Sequence, residues 1–114
     1  MTTILIVDDE APIRELLAWI LRDLGYEVYQ AINGREAMAL AIRHRPDLVI
    51  SDVMMPVMGG QELCRWVKRE LQPAPPVILT SSVGGHVVQD TGADAFVQKP
   101  FDLEELEDAV RAHV

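Results

Sequence analysis

Apolar residues fall into two rhythms along this chain. The runs Ile4–Val7, Leu48–Ile50 and Val77–Leu79 are unbroken, without the alternation of a half-exposed strand. Strands look like this when both of their faces are covered. Tyr26–Ala31 and the shorter "AFVQK" near residue 97 are β-prone as well, which gives five strands. Between them the period lengthens. Ile13, Leu16, Leu17, Ile20, Leu21 and Leu24 stand at offsets 0, 3, 4, 7, 8 and 11, the spacing of one helical stripe. Pro12 suits its first turn and Gly25 its left-handed stop. Asn33 and Glu36 have capping-box spacing ahead of an Ala-rich helix that runs toward Arg45 and is ended by Pro46. Leu63, Val67 and Leu71 mark a third helix broken by "QPAPP". Asp102 and Glu105 open a last one that carries Leu103, Leu106 and Val110.

Strands alternating with helices imply βαβ units, a parallel sheet and right-handed crossovers that place helices on both faces. The expectation is one α/β domain over residues 1–114, a doubly wound five-stranded sandwich. The last helix reaches Val114, so no output domain is expected in the chain. Repeats, linkers and low-complexity tracts are absent from the sequence.

Composition narrows the function. A formal charge of −8 opposes general contact with nucleic acid, which needs clustered Lys and Arg. No apolar run has the length of a membrane span, and no basic segment precedes the first apolar run as in a secretory signal. The lone Cys64 rules out an internal disulfide and reads as a small buried residue. A cytoplasmic protein without membrane contact is expected.

In a sheet of this kind the functional crevice lies beyond the carboxyl ends of the strands. Asp8 and Asp9 end the first strand, Asp52 the third, Thr80 the fourth and Lys99 the fifth. Clustered carboxylates resist simultaneous ionisation unless a cation neutralises them. An oxygen-only site with few protein ligands suits Mg²⁺, whereas Ca²⁺ wants more oxygens. Zinc wants His or Cys, and His44, His86 and His113 lack ligand spacing. Taken alone, three strand-end acids are better read as solvated carboxylates. Glu10 and Asp102 read as helix-start carboxylates and Met54, Met55 and Met58 as loop packing.

The segments "VDDE", "DLVISDVMMPVMGG", "VILTS" and "GADAFVQKPF" stand in the order and spacing of a bacterial response-regulator receiver domain, and the resemblance covers essentially the whole chain. It implies the flavodoxin-like strand order 2-1-3-4-5. It implies that Asp52 is the phosphoacceptor and that the donor is a sensor histidine kinase or a histidine phosphotransfer protein. Asp9 and Asp52 would be direct Mg²⁺ ligands with the carbonyl of Met54, and Asp8 would act through water. Thr80 would bond a phosphoryl oxygen, Lys99 would pair with the phosphoryl group, Phe96 would be the switching aromatic, and Lys99–Pro100 would be a cis peptide bond. A homodimer or a downstream effector would receive the signal. Chemistry agrees with these roles, because phosphoryl transfer to a carboxylate needs compensation for charge on three equatorial oxygens. Lysine is also scarce here: Lys68 and Lys99 stand against eight arginines.

The resemblance departs between Thr80 and Lys99, where only eighteen residues intervene, including Gly84, Gly85 and Gly92. Adjacent glycines are poor helix material, so a short fourth helix between about Gly85 and Thr91, or a loosely ordered segment, is expected. Trp19 and Trp66 lie off their helices' apolar stripes; Trp19 is a candidate contact for the kinase. Three other readings compete. A receiver-shaped interaction module that is never phosphorylated would not need the intact acid pair, Thr80 and Lys99. An Asp-nucleophile phosphatase needs a second acid where Met54 stands. A flavin carrier needs a hydroxyl- or Gly-rich loop where Asp8 and Asp9 stand.

Overall fold

The computed structural model describes all 114 residues, Met1–Val114. Five strands alternate with helical segments: β1 (Thr3–Val7), α1 (Ala11–Asp23), β2 (Glu27–Ala31), α2 (Gly34–His44), β3 (Leu48–Asp52), α3 (Gly60–Glu70), β4 (Val77–Ser81), a 3₁₀ turn (Gly85–Val88), β5 (Ala95–Gln98) and α4 (Leu103–His113). All neighbours in the sheet are parallel, in the order β2-β1-β3-β4-β5. This is the expected doubly wound order. The fourth helix is reduced to the single 3₁₀ turn, so four α-helices remain of the five expected from the alternation.

The unbroken apolar runs follow from burial on both sides. Leu5, Val7, Val49, Val77 and Leu79 face a core closed by α2 and α3 with Ala37, Ala41, Leu63 and Val67. Ile4, Ile6, Leu48, Ile50, Ile78 and Val97 face a second core closed by α1 and α4 with Leu17, Leu21, Leu106 and Val110. Successive strand residues point to opposite layers, so a strand with no polar face has no polar alternation.

Helix ends obey local chemistry. The Asn33 side chain accepts from the Glu36 N–H at 2.9 Å, and the Glu36 carboxylate accepts from the Ile32 N–H at 3.2 Å. Asp102 accepts from the Glu105 N–H at 2.7 Å. Gly25 takes φ +97°, the left-handed conformation expected after α1.

Three sequence expectations are corrected. Leu16 and Leu103 belong to the helical stripes but are 53% and 47% exposed. With Ile13, Pro100 and Phe101 they line an open apolar groove of about 380 Å³ beside Lys99. The sheet is narrower than the stripes and leaves their margins uncovered. Leu24, also assigned to the stripe, is the C-cap beyond the last residue of α1 and is exposed. Trp66 does not stand clear of the core: it is half-buried and packs against the layer under α2 and α3. Trp19, by contrast, is 68% exposed. Cys64 is buried as expected, and burial pushes its thiol pKa up. No helix is long and apolar enough to cross a membrane.

Candidate functional site

The carboxyl ends of β1, β3, β4 and β5 bring four buried or half-buried polar side chains to one edge of the sheet. Pairing sets Asp52 directly beside Thr80 in the register of β3 and β4. Both are buried, as is Asp8 one residue beyond β1. Backbone hydrogen bonds carry the ladder past the strand ends: Asp8 N–H to Ala31 O at 3.1 Å, Val53 N–H to Thr80 O at 2.8 Å, and Lys99 N–H to Ser81 O at 2.8 Å. These bonds hold the candidate site residues although Asp8 and Lys99 lie just outside the strands. The Lys99–Pro100 peptide is cis, as the resemblance implies, and Gln72–Pro73 is cis as well.

Lys99 is the hub. Its Nζ donates to Asp8 Oδ2 at 3.1 Å and stands 3.6 Å from Asp52 Oδ1 and 3.8 Å from Glu10 Oε1. Asp8 is further tied by the Glu10 N–H, which donates to its Oδ1 at 2.9 Å, and Arg14 donates to the Asp8 carbonyl at 2.9 Å. Burial raises the pKa of Asp52; the charges of Asp8 and Asp9 raise it further, and Lys99 opposes them. Burial disfavours the charged form of Lys99. The hydrogen bond from its ammonium to Asp8 and the negative charges of Asp8, Asp52 and Glu10 outweigh that and raise its pKa.

Carboxylate oxygens of Asp8, Glu10 and Asp52 all lie within 4.8 Å of one another. Glu10 was read from the sequence as a helix-start carboxylate. It does occupy the N-cap of α1, but its side chain caps no backbone N–H and turns to the cluster instead. The contiguous acids of "DDE" were the signal for it. Asp9 is exposed, and its carboxylate stands outside this group although its charge reaches Asp52. An oxygen-only, net negative set, with the Asp52 carboxyl pushed up first by burial and then by the charges of Asp8 and Asp9, fits a hard divalent cation such as Mg²⁺.

Two further residues complete the setting. Phe96 pairs with Leu79 across β4 and β5, is half-buried, and backs onto Gly85 of the 3₁₀ turn. Gly60, which the sequence did not single out, begins α3 so close to β3 that a Cβ there would lie 2.2 Å from the Asp52 carbonyl oxygen. Its N–H donates to Val53 O at 3.1 Å. The absence of a side chain therefore lets α3 start directly on the backbone of Asp52. Met54, two residues past Asp52, is 66% exposed in the loop that leads there.

Comparison with known proteins agrees with this geometry. Residues 4–111 match the profile described as response regulator receiver domain. The phosphate regulon transcriptional regulatory protein PhoB of Pseudomonas aeruginosa is 44% identical over 109 residues, covering 91% of this chain and 48% of PhoB. The chain spans about half the length of the curated relatives it matches. The structure of the chemotaxis response regulator CheY4 of Vibrio cholerae superposes with a TM-score of 0.92 at 35% identity, covering 100% of this chain and 99% of that one. TrrA of Thermotoga maritima, solved in complex with Mg²⁺–BeF, gives a TM-score of 0.90 at 36% identity, with 100% of both chains covered.

Proposed function

Because this chain belongs to the response regulator receiver family of two-component signalling proteins, we propose that its Asp52 carboxylate accepts a phosphoryl group from a phosphohistidine of a sensor kinase or phosphotransfer protein. An Asp52 oxygen attacks phosphorus, the P–N bond breaks, and the imidazole leaves with its electron pair. Lys99, already within 3.6 Å of Asp52, pairs with the added negative charge, and the neighbouring Thr80 hydroxyl donates to a phosphoryl oxygen. Hydrolysis reverses the loading slowly: water attacks phosphorus and the Asp52 carboxylate leaves.

Asp9, Asp52 and the Met54 carbonyl would hold Mg²⁺, with Asp8 acting through water, and Glu10 would add a further carboxylate. The ion supplies positive charge against the phosphoryl oxygens. Phosphorylation shifts the domain between two conformations, with Thr80 and Phe96 as the moving pair. The incoming partner docks on α1 and the apolar groove beside Lys99, where Leu16, Leu103 and Trp19 are exposed.

The observation that carries this reading is the pairing of one ammonium with Asp8 and Asp52 at a strand-end cluster of acids. Incubation with a small phosphodonor such as phosphoramidate, followed by phosphate-affinity electrophoresis, tests it. A single retarded species should form with Mg²⁺ and be lost in Asp52→Asn. An unshifted wild type would favour an interaction module instead.

A further inference from the structure

Away from the phosphoacceptor edge, the charge distribution of the molecule is lopsided. Residues 34–70 hold six of the ten Lys and Arg but only five of the eighteen Asp and Glu. That segment is net +1, and the rest of the chain is −9. The positive side chains concentrate where α2 meets α3. A groove of about 370 Å³ lies between these helices, lined by Arg35 of α2 and by Arg65 and Arg69 of α3. Glu62 is its one acid. The apolar lining includes half-buried Trp66 and also Val57, which is 71% exposed and held at φ +69°. A β-branched residue at positive φ is strained backbone. Here that strain leaves an isopropyl group in the open at the rim of a basic groove.

The arginines are free to receive a ligand. Arg65 spends its Nε on the Asp90 carbonyl at 3.2 Å, and Arg69 its Nε on the adjacent Glu70 at 3.1 Å. The terminal guanidinium nitrogens of both, and all of Arg35, carry no ion pair to another element. Guanidinium forks match carboxylates in bidentate geometry and pack against apolar surface. The volume lies at the small end of the range for ligand sites, about 300–1,000 Å³, enough for one or two side chains.

We propose that the α2–α3 groove is a docking site for an acidic segment of a partner protein that inserts an apolar side chain against Trp66 and Val57 while its carboxylates engage Arg35, Arg65 and Arg69. Charge complementarity selects this occupant. The strongly negative remainder of the domain repels acidic ligands elsewhere, so an acidic peptide is steered to this one face. Duplex DNA and lipid surfaces need a broader basic footprint than three arginines around an apolar cleft. The groove shares no lining residue with the acids at the strand ends.

The probe is a short fluorescein-labelled peptide of Asp and Glu around a central Phe-Leu pair, titrated against the intact chain by anisotropy, with amide shifts mapped by NMR. Saturable binding should shift amides of α2 and α3, weaken with added salt, and weaken at least about tenfold in Arg35→Glu and in Arg65→Glu. Arg43→Glu makes the same charge change outside the groove and should stay within about twofold; far-UV circular dichroism checks that each variant is folded. The Arg35 side chain makes no hydrogen bond or ion pair within the fold, so its variant separates binding from stability. The proposal is overturned by no saturable change at about 1 mM peptide, by equal weakening in Arg43→Glu, by shifts confined to α1 and α4, or by anionic vesicles or duplex DNA binding as well as the peptide does.

Discussion

Replacing Lys99 with methionine removes the only cation inside the acidic cluster while keeping most of the side-chain volume. The Asp8 and Asp52 side chains are 3% and 6% exposed, and that of Lys99 is 15% exposed. At an effective dielectric of about 20, unit charges at the observed 3.1 Å attract by about 5 kcal/mol. Desolvation of the ammonium offsets part of this. The net loss should fall near 3 kcal/mol, the lower end of the roughly 3–5 kcal/mol seen when one partner of a buried pair is deleted. Urea unfolding in chelator, wild type against Lys99→Met, measures it. The pH dependence carries a sign as well. The folded pKa of Lys99 lies above its usual 10.5, so its contribution is full below that value and lost as pH rises through the folded one. On the alkaline side the two proteins should therefore converge only in strong alkali. Mg²⁺ should narrow the gap, because the ion then neutralises the buried acids left without Lys99. A loss under about 1 kcal/mol, on the scale of surface pairs, would refute the reasoning by making Lys99 an ordinary exposed partner.

Other consequences are as definite. Asp52→Asn should be more stable than wild type at neutral pH without metal, because the raised folded pKa means that ionised Asp52 costs stability. That cost disappears as pH falls below the usual 3.8, so thermal unfolding across pH should show the two curves meeting in acid. Gly60→Ala should cost at least about 2 kcal/mol in denaturant unfolding and also slow phosphoryl labelling. The reason is that its Cβ would meet the Asp52 carbonyl at 2.2 Å, where backbone rather than a flexible side chain must move. Trp19→Ala should leave stability within about 0.5 kcal/mol yet slow transfer from a phosphohistidine donor several-fold. An unchanged transfer rate would remove Trp19 from the docking face.

The fold was legible in the chain because its strands are buried on both sides and the covering helices have clear stripes and caps. The order 2-1-3-4-5, however, rested on family resemblance; periodicity does not say which strands are neighbours. The shortened fourth helix was legible too, since paired glycines and too few residues leave room for little more than one turn. The site was read less completely. Asp8, Asp52, Thr80 and Lys99 stand where their strands end, and a strand's end is a local property. Glu10 does stand at the helix start as read, but its carboxylate caps no N–H of the helix and stands 3.8 Å from Lys99, which is remote in sequence. Leu16 and Leu103 misled for a related reason. A stripe tells which face of a helix is apolar but not how far the sheet beneath it extends. Gly60 left no trace because close approach of two backbones is a tertiary fact.

The central claim is that strand-end acids gather a divalent ion and leave Asp52 to be phosphorylated. Borohydride reduction after phosphodonor treatment converts an acyl phosphate to an alcohol, and peptide mass mapping then locates the modified residue. Modification at position 52 alone, dependent on Mg²⁺ and absent in chelator, is the predicted result. Modification at Asp8 or Asp9, or labelling of Asp52 indifferent to chelation, would contradict it.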